Sequence, residues 1–83
     1  MTPILIPEEN RHFFTKKERL SDFECWALKK FAEEFGFAND DQWWWTDSEL
    51  YVDSGTSLWL TDNGNVMYEI VSDDVDELYI LRF

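Results

Sequence analysis

Lysine and arginine are missing from the chain between Lys30 and Arg82. A segment of that length without a base cannot grip a phosphate backbone or an anionic membrane, both of which are held by arrays of Lys and Arg. Cysteine occurs once, at Cys25, which excludes an intramolecular disulfide and the small secreted scaffolds built on such bonds. Without a helix N-terminus or strongly basic surroundings, Cys25 reads as a small core residue rather than a thiolate. Histidine also occurs once, at His12, so an imidazole-activated nucleophile has a single base to draw on, and a solvent-facing or internally satisfied ring is the simpler account. No apolar run of roughly 18 residues is present, and Met1 to Pro7 has neither the basic start nor the apolar stretch of a signal peptide. The expectation is a soluble protein in a reducing cytoplasm.

What is present is acid and aromatic ring. Thirteen of the eighteen carboxylates lie in the base-free stretch, whereas the first thirty residues carry six bases against five acids. The net charge of −11 is therefore concentrated in one part of the chain. Ordinary surfaces intersperse both signs because like charge repels itself, so a field of one sign on a rigid scaffold asks for more than solubility as its reason. Aromatic residues make up 18% of the chain and include five tryptophans. Each one buried removes roughly 150 to 250 Å² from water, which lets 83 residues fold as a single domain and argues against disorder.

The chain divides into an N-terminal arm over 1–20, a helix over 21–36 and an acidic antiparallel sheet over 43–83. This is an α+β arrangement in which one principal helix packs on a meander of four to five strands. In the arm, Ile4, Leu5 and Ile6 lie between Pro3 and Pro7, which confines any strand to a short edge or an extended cover for the core. Pro7 followed by Glu8 and Glu9 suits a helical turn reaching Phe14. Ser21 with Glu24 makes a capping box, and Gly36 supplies the left-handed residue that ends a helix over 22–35, with Phe37 folding back on it. Between these caps Phe23, Ala27, Phe31 and Phe35 recur at four-residue spacing, with Trp26 and Leu28 beside them, predicting an aromatic stripe against the sheet. In the run Trp43, Trp44, Trp45, strand geometry places the outer two on one face and Trp44 on the other.

Strands are expected over 49–52, 57–61, 66–71 and 77–83. A two-residue turn at Asn63-Gly64 would set Glu69 opposite Leu58. A three-residue turn at Asp62-Asn63-Gly64 sets Leu60 opposite Val66 and Leu58 opposite Tyr68, which keeps carboxylates off the aliphatic face. The helix-side face then holds Leu58, Leu60, Val66, Tyr68 and Ile70 with Leu78 and Ile80. The other holds Trp59, Met67, Glu69, Val71, Tyr79 and Leu81, too apolar to stay bare. Successive hairpins turn at alternate ends, so the turns at Asp53 and at Ser72 to Asp76 share an end, away from Asp62, and gather Asp53, Asp73, Asp74, Asp76 and Glu77 into an acidic edge.

The spacing of Asp73, Asp74, Asp76 and Glu77 lacks the alternating ligands, central glycine and closing glutamate of a calcium loop. No catalytic, metal or cofactor motif stands elsewhere. The functional signal is the acidic surface, and the partner it implies is a basic protein that handles DNA or RNA, without direct contact to nucleic acid or membrane. Carboxylates on strand edges and turns can stand where phosphates would sit and accept bidentate arginine contacts. The expected contact residues are Asp53, Asp73, Asp74, Asp76 and Glu77, with Asp40, Asp41, Asp47 and Glu49 as a second patch and Trp44 and Tyr51 as apolar anchors. In size, charge and aromatic content the chain resembles the small acidic proteins that phages use against host defence, among them anti-CRISPR, anti-restriction and uracil-DNA glycosylase inhibitor proteins. That resemblance implies a non-enzymatic inhibitor acting in the host cytoplasm, with DNA mimicry as one means. The alternatives are an antitoxin or immunity protein for a toxin nuclease, and a small carbohydrate- or ligand-binding module using exposed tryptophans. The plainest reading keeps the charge for solubility alone. Monomer and homodimer are both open.

Overall fold

The computed structural model describes residues 2–37 and 43–82. Along the chain come β1 (Thr2–Leu5), a 3-10 helix (Glu8–Phe13), α1 (Asp22–Phe35), β2 (Trp44–Trp45), β3 (Glu49–Asp53), β4 (Thr56–Leu60), β5 (Val66–Val71) and β6 (Asp76–Arg82). The strands form one antiparallel sheet in the order β1-β6-β5-β4-β3-β2. β2 to β6 are a five-stranded meander, and β1 adds to its far edge on β6, so six strands replace the four to five expected. The arm thus contributes a short edge strand, consistent with its two flanking prolines.

Local chemistry sets the limits of α1. The Ser21 hydroxyl accepts the Glu24 backbone N–H at 3.2 Å while the Glu24 carboxylate accepts the Ser21 N–H at 2.8 Å, closing the capping box. Lys17 donates to the same carboxylate at 2.6 Å. The Lys17 hydrogen bond first, and the Ser21 backbone N–H second, hold Glu24 down to about 2 from its ordinary 4.5. At the other end Gly36 adopts φ 93°, and the N–H groups of Gly36 and Phe37 both donate to the Ala32 carbonyl, at 3.2 and 3.1 Å.

The buried side of the helix is not quite the stripe that four-residue spacing predicts. Leu28 and Ala32 are fully buried, and Phe31 and Phe35 pack beside them on Leu50, Val52, Leu58, Leu60, Val66 and Leu81. Phe23 and Trp26, by contrast, are 71% and 55% exposed. Residues four apart advance around a helix by about 40° more than a full turn. A row through 23, 27, 31 and 35 therefore spirals off the contact face, and the row that stays on it is 28, 31, 32 and 35.

β4 and β5 pair as the three-residue turn requires, Leu58 opposite Tyr68 and Leu60 opposite Val66. Gly64 takes φ 88° and its N–H meets the Thr61 carbonyl at 3.0 Å. The β5–β6 connection corrects the expectation for β6. The Ser72 N–H closes on the Val75 carbonyl at 2.7 Å, leaving a loop over 72–75 that sets Val71 opposite Asp76, Tyr68 opposite Tyr79 and Val66 opposite Leu81. A connection of even length pairs residues of opposite parity, which flips a strand's faces. Tyr79 and Leu81 consequently share the helix side, and Leu78 and Ile80 join Trp59 and Met67 on the other.

That second face is closed by the arm. Ile6 and Phe14 pack with Trp59, Met67, Leu78 and Ile80. The Ile6 N–H donates to the Leu78 carbonyl at 2.8 Å, and the Lys17 N–H donates to the Leu60 carbonyl at 2.8 Å, so the chain crosses beneath the sheet from one end to the other.

Two outcomes follow. Leu28→Ala should lower the free energy of unfolding by about 2 to 5 kcal/mol, whereas Phe23→Ala should change it by under about 1 kcal/mol, both read from urea denaturation. Because the folded pKa of Glu24 is depressed, its contribution is complete above about 4.5 and is lost as the pH falls towards about 2, the unfolded chain taking up the proton first. The stability gap between the native chain and Glu24→Gln should narrow over that window, and a gap that stays constant with pH would contradict the cap's role.

Candidate partner-binding surface

Two acidic turns meet at one end of the sheet. The Val71 N–H donates to the Gly55 carbonyl at 2.7 Å, which ties the β3–β4 turn to the start of the β5–β6 turn. Only glycine fits at this approach, since a Cβ on Gly55 would lie 2.7 Å from the Val71 carbonyl oxygen. α1 points towards the same end. Leu20, just before the helix, bonds to the Asp47 carbonyl at the opposite end, while Phe35 and Phe37 at its C-terminus lie over Tyr68, with ring centroids 5.5 and 5.3 Å away. The negative pole of the helix dipole therefore faces the acidic turns.

Register sorts the carboxylates at this end between the two faces. Asp53, Thr56, Ile70 and Glu77 form one cross-strand row on the helix side. Burial raises the Tyr68 phenol pKa, and the charges of Asp53 and Glu77 raise it further, which marks both acids as neighbours of that ring. Glu77 also accepts the Tyr79 hydroxyl at 3.0 Å, the main cause of the raised Tyr79 pKa. Asp53 uses one oxygen to accept the Gly55 N–H at 2.8 Å, which shapes its own turn. Asp73 and Asp74 are exposed in the β5–β6 loop and meet no base among the described residues.

The separation of charge along the sequence is partly undone in space. Arg11 donates to the Asp76 carboxylate at 2.9 Å and to its backbone carbonyl at 2.6 Å. Lys16 pairs with Glu49 at 2.7 Å. Pairs of this kind near a surface are each worth about 0 to 1 kcal/mol; their larger effect is on which acids stay available. Asp76 sits beside the acidic end as expected but is already matched, and half-buried Glu49 is matched as well. Asp47 is exposed in the β2–β3 turn, at the other end of the sheet, so it does not extend the edge. Asp40 and Asp41 lie outside the described residues.

Trp44 and Tyr51 are cross-strand neighbours whose rings stack 5.4 Å apart with planes 4° from parallel. They occupy the face opposite α1, beyond the apolar contacts of Ile6 and Phe14. Beside them opens a cavity of about 320 Å³, lined by Lys16, Glu49, Tyr51, Ser57, Glu69 and Val71 with the Ser54-Gly55 turn. Ser57 and Glu69 were not singled out from the sequence. Their only signal is a ladder position next to Tyr51, which needs the β3–β4 register and its bulge after Tyr51. Elsewhere, burial first and the charges of Asp22 and Glu24 next raise the Cys25 thiol pKa, moving it away from nucleophilic character. Among the described residues no group of His, Cys, Asp and Glu is arranged to hold a metal ion, and no helix is long and apolar enough to cross a membrane.

Gly55→Ala tests the junction of the acidic turns. It should cost about 1 to 3 kcal/mol of stability and speed amide hydrogen exchange at Val71, whereas unchanged exchange there would mean that the two turns are not locked together.

No family model matches the chain, and comparison with curated proteins and with solved structures likewise finds no match.

Proposed function

We propose that the chain is a non-enzymatic binding protein that presents the acidic end of its sheet to a basic, nucleic-acid-handling protein and blocks the surface where DNA or RNA would lie. The observation that supports this most is the distribution of bases. Arg11, Lys16 and Lys17 of the arm settle on Asp76, Glu49 and Glu24, while Asp53, Asp73, Asp74 and Glu77 are left around the abutting turns without a base among the described residues. A partner that supplies lysine and arginine relieves that repulsion, and attraction reaches it over about a Debye length, roughly 10 Å at moderate salt. The negative end of α1 adds to the field. Inhibition of a host-defence effector, as in the phage proteins that the chain resembles, is the setting in which such a surface has an evident use. A toxin nuclease would be held by the same contacts.

The test sets the immobilised chain beside a variant carrying Asp53→Asn, Asp73→Asn and Asp74→Asn, against a panel of purified basic nucleases and DNA-binding proteins at about 0.05 and 0.3 M salt. The native chain should capture a member of the panel, added duplex DNA should displace it, and the variant should bind at least about tenfold more weakly. Equal capture by the variant, or DNA that joins the captured complex without displacing the chain, would overturn the reading.

A further inference from the structure

Four cross-strand neighbours stand in one row on the face opposite α1: Trp44 on β2, Tyr51 on β3, Ser57 on β4 and Glu69 on β5. Adjacent strands are about 4.8 Å apart, so Tyr51 and Glu69 are separated by roughly 10 Å with only a serine between them. Ser57 is 4% exposed, its hydroxyl has no hydrogen-bond partner among the described residues, and it lines the cavity that this gap creates. One wall is a flat π surface, Tyr51 backed by the parallel Trp44 ring. The opposite wall is a fixed charge: Glu69 accepts the Trp59 indole N–H at 3.1 Å through one oxygen, leaving the other uncommitted. Lys16 and Glu49 on the rim neutralise each other at 2.7 Å, so Glu69 is the unmatched charge of the cavity.

From this arrangement we infer that the cavity takes the guanidinium of one arginine side chain of the basic partner, stacked on Tyr51 and hydrogen-bonded to Glu69 and Ser57. The inference rests on the partner being basic and adds a contact separate from the acidic end. Guanidinium is planar, stacks on aromatic faces and presents its donors as a fork, which suits a π wall, a hydroxyl acceptor and a carboxylate in one row. A lysine ammonium is a compact, strongly hydrated charge that uses the ring less well. A neutral sugar would use the aromatic wall but leave Glu69 uncompensated, and an anion would be repelled by it. The stem of the arginine would lie along Val71, which is exposed at the cavity's edge. The cavity also borders Ser54 and Gly55, in the turn that Asp53 begins, so one continuous basic surface can reach both contacts.

The experiment titrates the isotope-labelled chain, followed by NMR, with a capped Gly-Arg-Gly peptide and, in separate arms, with its lysine counterpart, free arginine and methyl glucoside. The arginine peptide should produce saturable shifts at the Ser57 and Glu69 amides and the Trp44 indole, with the lysine peptide at least about fivefold weaker. Glu69→Gln keeps the acceptor for Trp59 and should weaken binding about tenfold, and Ser57→Leu, which fills the gap, should abolish it. Equal binding of the two peptides, tighter binding of free arginine than of the peptide, shifts from methyl glucoside alone, or no shift from any probe would each overturn the assignment. Shifts confined to Asp73 and Asp74 would also overturn it while leaving the acidic-end contact standing. Loss of partner capture in the panel assay would instead remove the reading on which it rests.

Discussion

Burial of β4 on both faces is the constraint on which the rest of the molecule depends. All five of its residues are buried, Leu58 and Leu60 against α1 and Trp59 against the arm. A sheet whose central strand is apolar on both sides needs two covers, and the described residues hold one α-helix, α1. The second cover is irregular: the run after β1, which brings Ile6 and Phe14 onto the face and bonds at one end to Leu78 and at the other to Leu60. The two covers are offset. The helix axis lies nearest β3 and β4, with its side chains reaching Val66 and Tyr68 on β5 and Leu81 on β6, whereas the arm's apolar contacts fall on β4, β5 and β6. Where the arm stops, Tyr51, Ser57 and Glu69 are left to line a cavity.

The same arm governs the electrostatics. It brings two bases back to the acidic part of the molecule, Arg11 to Asp76 and Lys16 to Glu49, while Lys17 is committed to Glu24 at the start of α1. Self-repulsion is thereby reduced at Glu49 and Asp76 and left in place at Asp53, Asp73, Asp74 and Glu77. What decides the surface is not the number of acids but where the folded chain spends its few bases.

Features fixed by neighbours in sequence were legible before the fold was known. Ser21, Glu24 and Gly36 delimit α1 because caps act within one turn, and Gly64 together with the exclusion of Glu69 from the aliphatic face settles the β4–β5 register. Features fixed at a distance were not. The segment Ser-Asp-Asp-Val-Asp does not declare how many of its residues form the turn, and a difference of one exchanges Leu78 and Ile80 for Tyr79 and Leu81. Aromatic character alone did not separate Phe31 and Phe35, which pack, from Phe23 and Trp26, which do not. For the surface, topology alone placed Asp53, Asp73, Asp74 and Glu77 at one end, yet nothing local ties Arg11 to Asp76. A serine in a strand carries no mark of a cavity until its neighbours in space are known.

The pairing of β1 with β6 bears on how the domain assembles. The β2 to β6 hairpins join strands that follow one another in the chain, so each closes a short loop, and α1 docks on strands that come soon after it. Thr2 opposite Arg82 joins the two extremes of the described chain, the costliest closure in the molecule by chain entropy. Among the described residues β1 has only β6 to pair with, so nothing in the sheet shortens that closure. A chain whose arm is not docked exposes Trp59, Met67, Leu78 and Ile80, and a net charge of −11 opposes association between such chains.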